Sequence, residues 1–527
     1  MLRIALRTEP FDLTDSGSSR NNLTLVLFGA RLDHTDDLDN PYPVLAEGVP
    51  RLNTDTWRVL PDGRMETIYH LRPNLSWHDG APLSAEDYIF THRANEVSLQ
   101  LGLRQSAISP VEHRAVEEVR APDPRTVVIR WKQIYKDAVA PDVKVLPRHI
   151  LEPLVEQGQG ELLGSHAYWT TGYVGVGPYR VAKWEPGALI GAAAFEGFAL
   201  GQPKINRVLL TWSGDPNATL ARLLAGDLDM AVDGAIFYPQ AATLNKEWVP
   251  RGGGIVLLGV GTLRFVSAQH RPAYASPVSV LDARVRKATA HAIDRQALTE
   301  ALVEGYGPVA EVVAPPGVRY YADLERGAPK YPYDLRRTEQ LMAEAGFTRG
   351  PDGFYVSAAE GRHSPDFMGV AEGQEAQETT IIADYLKRAG VDAQLRLVPQ
   401  AQLQQSDELK ATYPAWRTNY GLGAPKNLSA DRLLGSRVAT AENRWGGTNK
   451  MGWSNAEHDR LYDQWTRTLE VGEADRILAQ IGKVQMEELP FIPTYFDPTV
   501  AAHPVNLRGP SLGFGTAWHN IHEWSWK

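Results

Sequence analysis

Several stretches of the chain carry residue types at spacings that could do chemistry. Gly509-Pro510-Ser511-Leu512-Gly513 has the G-x-S-x-G spacing of serine hydrolases, whose nucleophile sits on a sharp turn between a strand and a helix. Pro510 before the serine and glycines at 513 and 515 argue against a following helix, and 12 residues after Gly515 are too few for an acid and then a histidine. Gly175-Val176-Gly177 lacks the third glycine of a dinucleotide loop and runs on into Pro178-Tyr179-Arg180-Val181 as a strand, so it is expected to be a turn. His78-Asp79 has no second histidine at i+4, and the following Gly80 reads as a turn. The acidic run from Asp33 to Asp39 lacks the spacing and glycine of a calcium loop and is expected to be solvated. Cysteine is absent, which excludes thiolate nucleophiles, cysteine metal sites and disulfides. No metal and no cofactor is expected.

The elements that must position any site follow from caps and periodicity. Met1 to Arg7 reads as a first strand rather than a signal segment, so an exported form would have lost its signal. Asp215-Pro216 is a helix start, Leu220, Leu223 and Leu224 its apolar stripe and Gly226 its stop, followed by alternation at Leu228, Met230 and Val232 that predicts a half-buried strand. The same order recurs at Ile381, Ile382, Tyr385, Leu386 and Ala389, closed by Gly390 and followed by Val391, Ala393, Leu395 and Leu397. Further helices are predicted from Asp282, up to Gly346, and twice between Asn455 and Pro490. Helices alternating with strands predict an α/β fold.

Bulk properties bound the function. A chain of 527 residues exceeds one core, so two or three domains are expected. The net charge of -9 gives no electrostatic reason to bind nucleic acid. No apolar run is long enough to span a bilayer.

The stretch Tyr69-His70-Leu71-Arg72-Pro73-Asn74-Leu75-Ser76-Trp77-His78-Asp79-Gly80-Ala81-Pro82-Leu83-Ser84-Ala85-Glu86-Asp87 closely resembles the signature of family 5 extracellular solute-binding proteins, the peptide- and nickel-binding type. Its physics is legible: the His78-Asp79-Gly80 segment suits a tight turn, and Ser84 with Asp87 can cap a helix carrying Tyr88, Ile89 and Phe90. Matching segments follow in the family's order: Pro43 to Glu47, Gly175 to Tyr179, Asp282 to Arg295, Tyr333-Asp334 with Ala343 to Phe347, Gly452 to Asn455, and Leu489 to Tyr495.

The resemblance implies a two-lobed periplasmic-binding-protein type II fold with an extra domain in the first lobe. The expected division is 1–35, 173–264 and 489–527 for lobe 1, 36–172 for the extra domain and 265–488 for lobe 2. Crossings near 265–269 and 491–494 would absorb a hinge rotation as the lobes close on a ligand. The implied function is an extracytoplasmic receptor of an ABC importer, periplasmic or extracellular and membrane-associated, monomeric, with a small-molecule ligand and a membrane permease as partners. A ligand sensor or an enzyme on the same scaffold is the rival of another class.

For the ligand, the segment Tyr413 to Pro425 falls where the resemblance places an aspartate that pairs with a peptide's amino terminus; here the position is Asn419, which cannot compensate a desolvated ammonium. The expectation is therefore a neutral polar solute such as an oligosaccharide, with an oligopeptide as the alternative. Expected lining residues are Trp416, Arg417, Asn419 and Tyr420, joined by Arg264 and Gln269 at the first crossing and by Trp445 in Trp445-Gly446-Gly447. For the aromatics, core packing is the equal competitor.

Overall fold

The computed structural model describes residues 1–13, 22–37, 40–103, 115–139, 143–513 and 518–527. The chain forms two compact units, Met1–Gly259 with Thr499–Lys527, and Val260–Pro498. It passes from one to the other inside two long strands, Gly254–Ala268 and Phe491–Pro504.

In the first unit the strand Leu2–Leu6 lies between Arg207–Trp212 and Met230–Ala231, parallel to both, with Ile4 opposite Leu210 and Met230. Leu189–Ala194 and Tyr179–Glu185 extend one side antiparallel, and Ala231 pairs with Ala502 on the other. Leu2, Ile4 and Leu6 enter one apolar cluster and Ala5 another, so this strand is buried on both faces. Asp215 caps the helix Pro216–Leu224 by accepting from the Asn217 N–H at 2.9 Å. The stripe is narrower than predicted: Leu223 is buried but Leu224 is 39 % exposed. The half-buried strand expected next is instead two residues buried on both faces. Ala231 packs with Leu223, Ala241 and Leu244 on the face that period-two alternation would have left wet.

A separate antiparallel sheet, ordered Trp57–Val59, Met65–His70, Thr126–Trp131 and Val116–Asp123, packs against the helix Ala85–Gln100. That helix begins where Ser84 donates its N–H to Asp87 Oδ2 at 2.8 Å. Tyr88 and Phe90 are buried, whereas Ile89 turns outward.

The second unit has the strand order Gln394–Val398, Asp366–Val370, Trp416–Leu422, Gly254–Ala268 and Phe491–Pro504. Asp366–Val370 runs parallel to both neighbours, and Trp416–Leu422 runs antiparallel to Gly254–Ala268 with Arg264 opposite Tyr420. The helix Gly373–Arg388 joins Asp366–Val370 to Gln394–Val398 and packs on both strands. Its Ile382, Ala383 and Leu386 enter the unit's core, and Gly390 ends it at φ 97°. The strand that follows departs from its expected pattern: Leu395 and Leu397 are 40 % and 38 % exposed because Gln394–Val398 is the edge strand, and only Val398 is buried. Asp282 caps Ala283–Ala292, with Val285, Ala288, Thr289, Ala292 and Ile293 all buried as their spacing predicts. Leu335–Glu344 stops at Gly346, and Ala456–Thr466 and Val471–Glu488 are the two helices before Pro490.

Candidate functional site

The site is built where helix Gly373–Arg388 starts. Residues three and four apart share a helix face, so Glu375 and Glu378 point the same way, and Glu378 continues the line of Ile382 and Leu386 into the core. A wholly buried carboxylate there needs a cation. Arg264 supplies it, donating from Nε to Glu378 Oε2 at 2.9 Å and through a second, shorter contact from Nη2 to the same oxygen. Glu375 Oε2 lies 3.9 Å from Arg264 Nη2. On the other side of the guanidinium, the Tyr420 ring lies 5.3 Å away, a cation–π geometry, and is 49 % exposed.

Neighbouring groups fix the backbone and add charge. Thr494 Oγ1 donates to the Arg264 carbonyl at 2.7 Å, and the Thr379 and Thr418 hydroxyls meet at 2.7 Å, tying helix to strand. Gln374 Nε2 donates to Tyr495 Oη at 2.9 Å and to Asp497 Oδ1 at 3.0 Å. Arg417, buried, donates from Nη1 to the Lys410 carbonyl at 3.3 Å while its Nε has no protein partner.

Burial dominates the electrostatics. It pushes the Glu378 carboxyl up to about 7 against the pull of Arg264, and raises Glu375 and Asp497 as well. Burial alone would lower Arg264, but Glu378, Tyr495 and Glu375 together hold it above the usual guanidinium value. Arg417 is lowered by burial. Three carboxylates thus share the cluster with two guanidinium groups, and Glu378 Oε1 accepts no hydrogen bond.

Of the residues singled out in the sequence, Arg264, Arg417 and Tyr420 come together here. Asn419 lies on the same strand, its Oδ1 accepting the Tyr420 N–H at 2.9 Å. Trp416 is 1 % exposed within the apolar core. Gln269 is wholly buried, donating to the Ala411 and Tyr413 carbonyls at 3.0 and 2.7 Å and accepting from Arg271. Trp445, half-buried at φ 61°, meets the Tyr274 ring edge-on at 5.9 Å, in a loop apart from the cluster. Gln374, Glu375, Glu378, Tyr495 and Asp497 were not foreseen. The available signal was Glu378 itself, an acidic residue in register with an apolar stripe.

The other motifs resolve as structure. His78 is buried: Nδ1 accepts the Gly175 N–H at 3.2 Å, so Nε2 carries the proton and donates to the Gly177 carbonyl at 3.0 Å. Desolvation holds it neutral, with its pKa lowered to about 4, and both nitrogens are spent. Gly509 to Gly513 forms no helix. In the acidic run, Asp36 closes a turn onto Asn40, while Leu38 and Asp39 lie outside the described residues. Among the described residues no group of three or more His, Asp or Glu side chains is placed to hold a metal, and no helix is long and apolar enough to cross a membrane.

Residues 47–435 match the bacterial extracellular solute-binding proteins, family 5 Middle. The oligopeptide-binding protein AppA of Bacillus subtilis is 23 % identical, covering 94 % of this chain and 85 % of the relative. The glutathione-binding protein GsiB of Salmonella typhimurium is 25 % identical, covering 96 % and 90 %. Among solved structures, NikZ of Campylobacter jejuni in complex with Ni(L-His) has a TM-score of 0.76 at 20 % identity, covering 100 % of this chain and 99 % of its own. The oligopeptide-binding protein of Thermus thermophilus complexed with a pentapeptide has a TM-score of 0.73 at 21 % identity, covering 100 % and 96 %.

Proposed function

The chain belongs to the family 5 bacterial extracellular solute-binding proteins, and from that premise we propose that the solute it delivers to its ABC importer is a short peptide or a similar zwitterion. It is a binding protein and not an enzyme. The observation that carries the ligand reading is the cluster around Arg264, where fixed charges of both signs are held below an exposed aromatic ring. A zwitterion offers an ammonium to carboxylates and a carboxylate to guanidinium groups, whereas a neutral sugar offers neither.

This reading replaces the neutral oligosaccharide expected from Asn419. In this reading the charge that Asn419 cannot provide comes from Glu375 and Asp497, which face Arg264 and lie outside the segment Tyr413 to Pro425 on which that expectation rested. The relatives support the change: those named above bind oligopeptides, glutathione or a nickel–histidine complex. Tyr420, Arg417 and Arg264 remain proposed contacts; Trp416 and Gln269 are proposed to hold the strand that presents them.

The test is a thermal-shift panel with di- to pentapeptides, glutathione, Ni(L-His) and maltooligosaccharides on the intact chain. A ligand at 100 times its Kd adds about 2.7 kcal/mol of stability, a resolvable shift. Stabilisation by peptides or glutathione is expected; stabilisation by the sugars alone overturns the reading.

A further inference from the structure

We propose that the Arg264 cluster is a cation-for-proton exchange site: the ligand's ammonium or guanidinium group settles against Glu375 and Asp497, and its arrival expels the proton that the unliganded cluster carries on Glu378. The inference rests on the peptide reading and adds to it a required charge and a proton stoichiometry.

Geometry carries the argument. Arg264 faces Glu375, Glu378 and Asp497, and Arg417 adds its charge only at Glu375, so ionising all three carboxylates leaves one negative charge uncompensated in a largely buried cluster. Glu378 is the member that can hold a proton, since it is wholly buried and its Oε1 has no hydrogen-bond partner. Its titration toward 7 agrees with this. Glu375 and Asp497 keep some exposure and form the side a ligand can reach. A cation placed there stabilises the fully ionised cluster, and the proton leaves to solvent.

The groups facing Glu378 are Arg264, Glu375, Asp497 and Tyr495. Other elements packed on its helix do not supply the missing charge. On the helices Ala283–Ala292 and Arg295–Val303, Arg286, His291 and Arg295 are engaged by main-chain carbonyls. On the strands Asp366–Val370 and Gln394–Val398, Asp366 and Arg396 pair with each other. On the strand Trp416–Leu422, Arg417 has an Nε without a protein partner, but its charge is already counted against Glu375, so a further cation has to come with the ligand.

The test is calorimetric titration with tri-alanine and N-acetyl-tri-alanine in buffers of different ionisation enthalpy. With Glu378 near 7 and the tri-alanine amine titrating near 8, net release of about 0.9 proton per tri-alanine is expected at pH 6 and about 0.4 at pH 7, turning to net uptake at pH 8 where the free peptide must itself gain a proton to bind as an ammonium. The acetylated peptide should bind at least about tenfold more weakly and release none, the loss of one close charge pair. Glu378→Gln should bind tri-alanine without proton release; Asp497→Asn should narrow the gap between the two peptides and serves if the Gln variant does not fold. Binding of tri-alanine with no proton release at pH 6, or equal affinity for both peptides, overturns the exchange while leaving the receptor reading intact. Absence of binding by every peptide in the thermal-shift panel overturns the reading itself.

Discussion

Replacing Arg264 by Met and Glu378 by Leu, singly and together, separates the energy of this ion pair from its use. The pair is 8 % and 0 % exposed, and removing one partner of a buried pair costs about 3–5 kcal/mol. The two single losses should not be equal. Without Arg264 the carboxyl can protonate, because it already titrates near 7, so R264M should lose about 2–3 kcal/mol. Without Glu378 the guanidinium cannot shed its charge and keeps only the weaker partners Glu375, at 3.9 Å, and Asp497, so E378L should lose about 3–5 kcal/mol. The double variant buries apolar groups in place of both charges and should sit within about 1.5 kcal/mol of the parent. Urea unfolding followed by tryptophan fluorescence gives the midpoints.

The pH dependence has a definite sign. The folded carboxyl holds its proton up to about 7 while the unfolded one releases it near 4.5, so the parent loses stability as pH rises through that window. The loss is about 3 kcal/mol at 1.36 kcal/mol per unit. The double variant should lack this component. If its loss equals the sum of the single losses, the two residues are not coupled and the ion-pair argument fails.

Two other outcomes can be measured with the same proteins. His78 stays neutral in the fold down to about 4 against an ordinary 6.5, so its contribution is present above 6.5 and is lost as pH falls toward 4, by about 3 kcal/mol; His78→Gln should flatten the acid limb of a stability-against-pH curve, and an unchanged limb would sink the assignment. Tyr420→Ala should leave stability within about 1 kcal/mol yet weaken peptide binding about tenfold or more, whereas Gln269→Leu should cost about 1–3 kcal/mol and leave affinity unchanged; the opposite pattern in calorimetry and urea unfolding would reverse their roles.

Local rules made much of the fold legible. Asp215-Pro216, Asp282, Ser84 with Asp87, and the stops at Gly226, Gly346 and Gly390 act within one or two turns, so reading them needs no knowledge of tertiary structure. Failures came where a distant element decided burial. Ala231 is wrapped by helices on a face that alternation marks as wet, and Leu395 and Leu397 stay exposed because no strand follows theirs at the sheet edge. The site was half legible for the same reason. Arg264 and Tyr420 lie in stretches that the family resemblance singled out, but what brings them together is antiparallel register, and their carboxylates come from a helix more than 100 residues beyond Arg264 and a strand more than 70 residues beyond Tyr420. Trp416 shows the converse: an aromatic in a suggestive motif that the fold spends on its core.

The interrupted first unit also sets an order of events during synthesis. Residues 260–498 leave the ribosome as one uninterrupted stretch, whereas Ala231 must wait for Ala502. At 5–20 residues per second that interval is roughly 15–55 s. The nascent first unit therefore displays an unfinished sheet edge beside Ala231 until residue 502 is available, by which point everything the second unit needs has been made. A chaperone or export factor that favours incomplete chains would have its longest opportunity on the N-terminal portion, and a ribosome stalled before codon 499 would release a polypeptide able to complete its second unit but not its first.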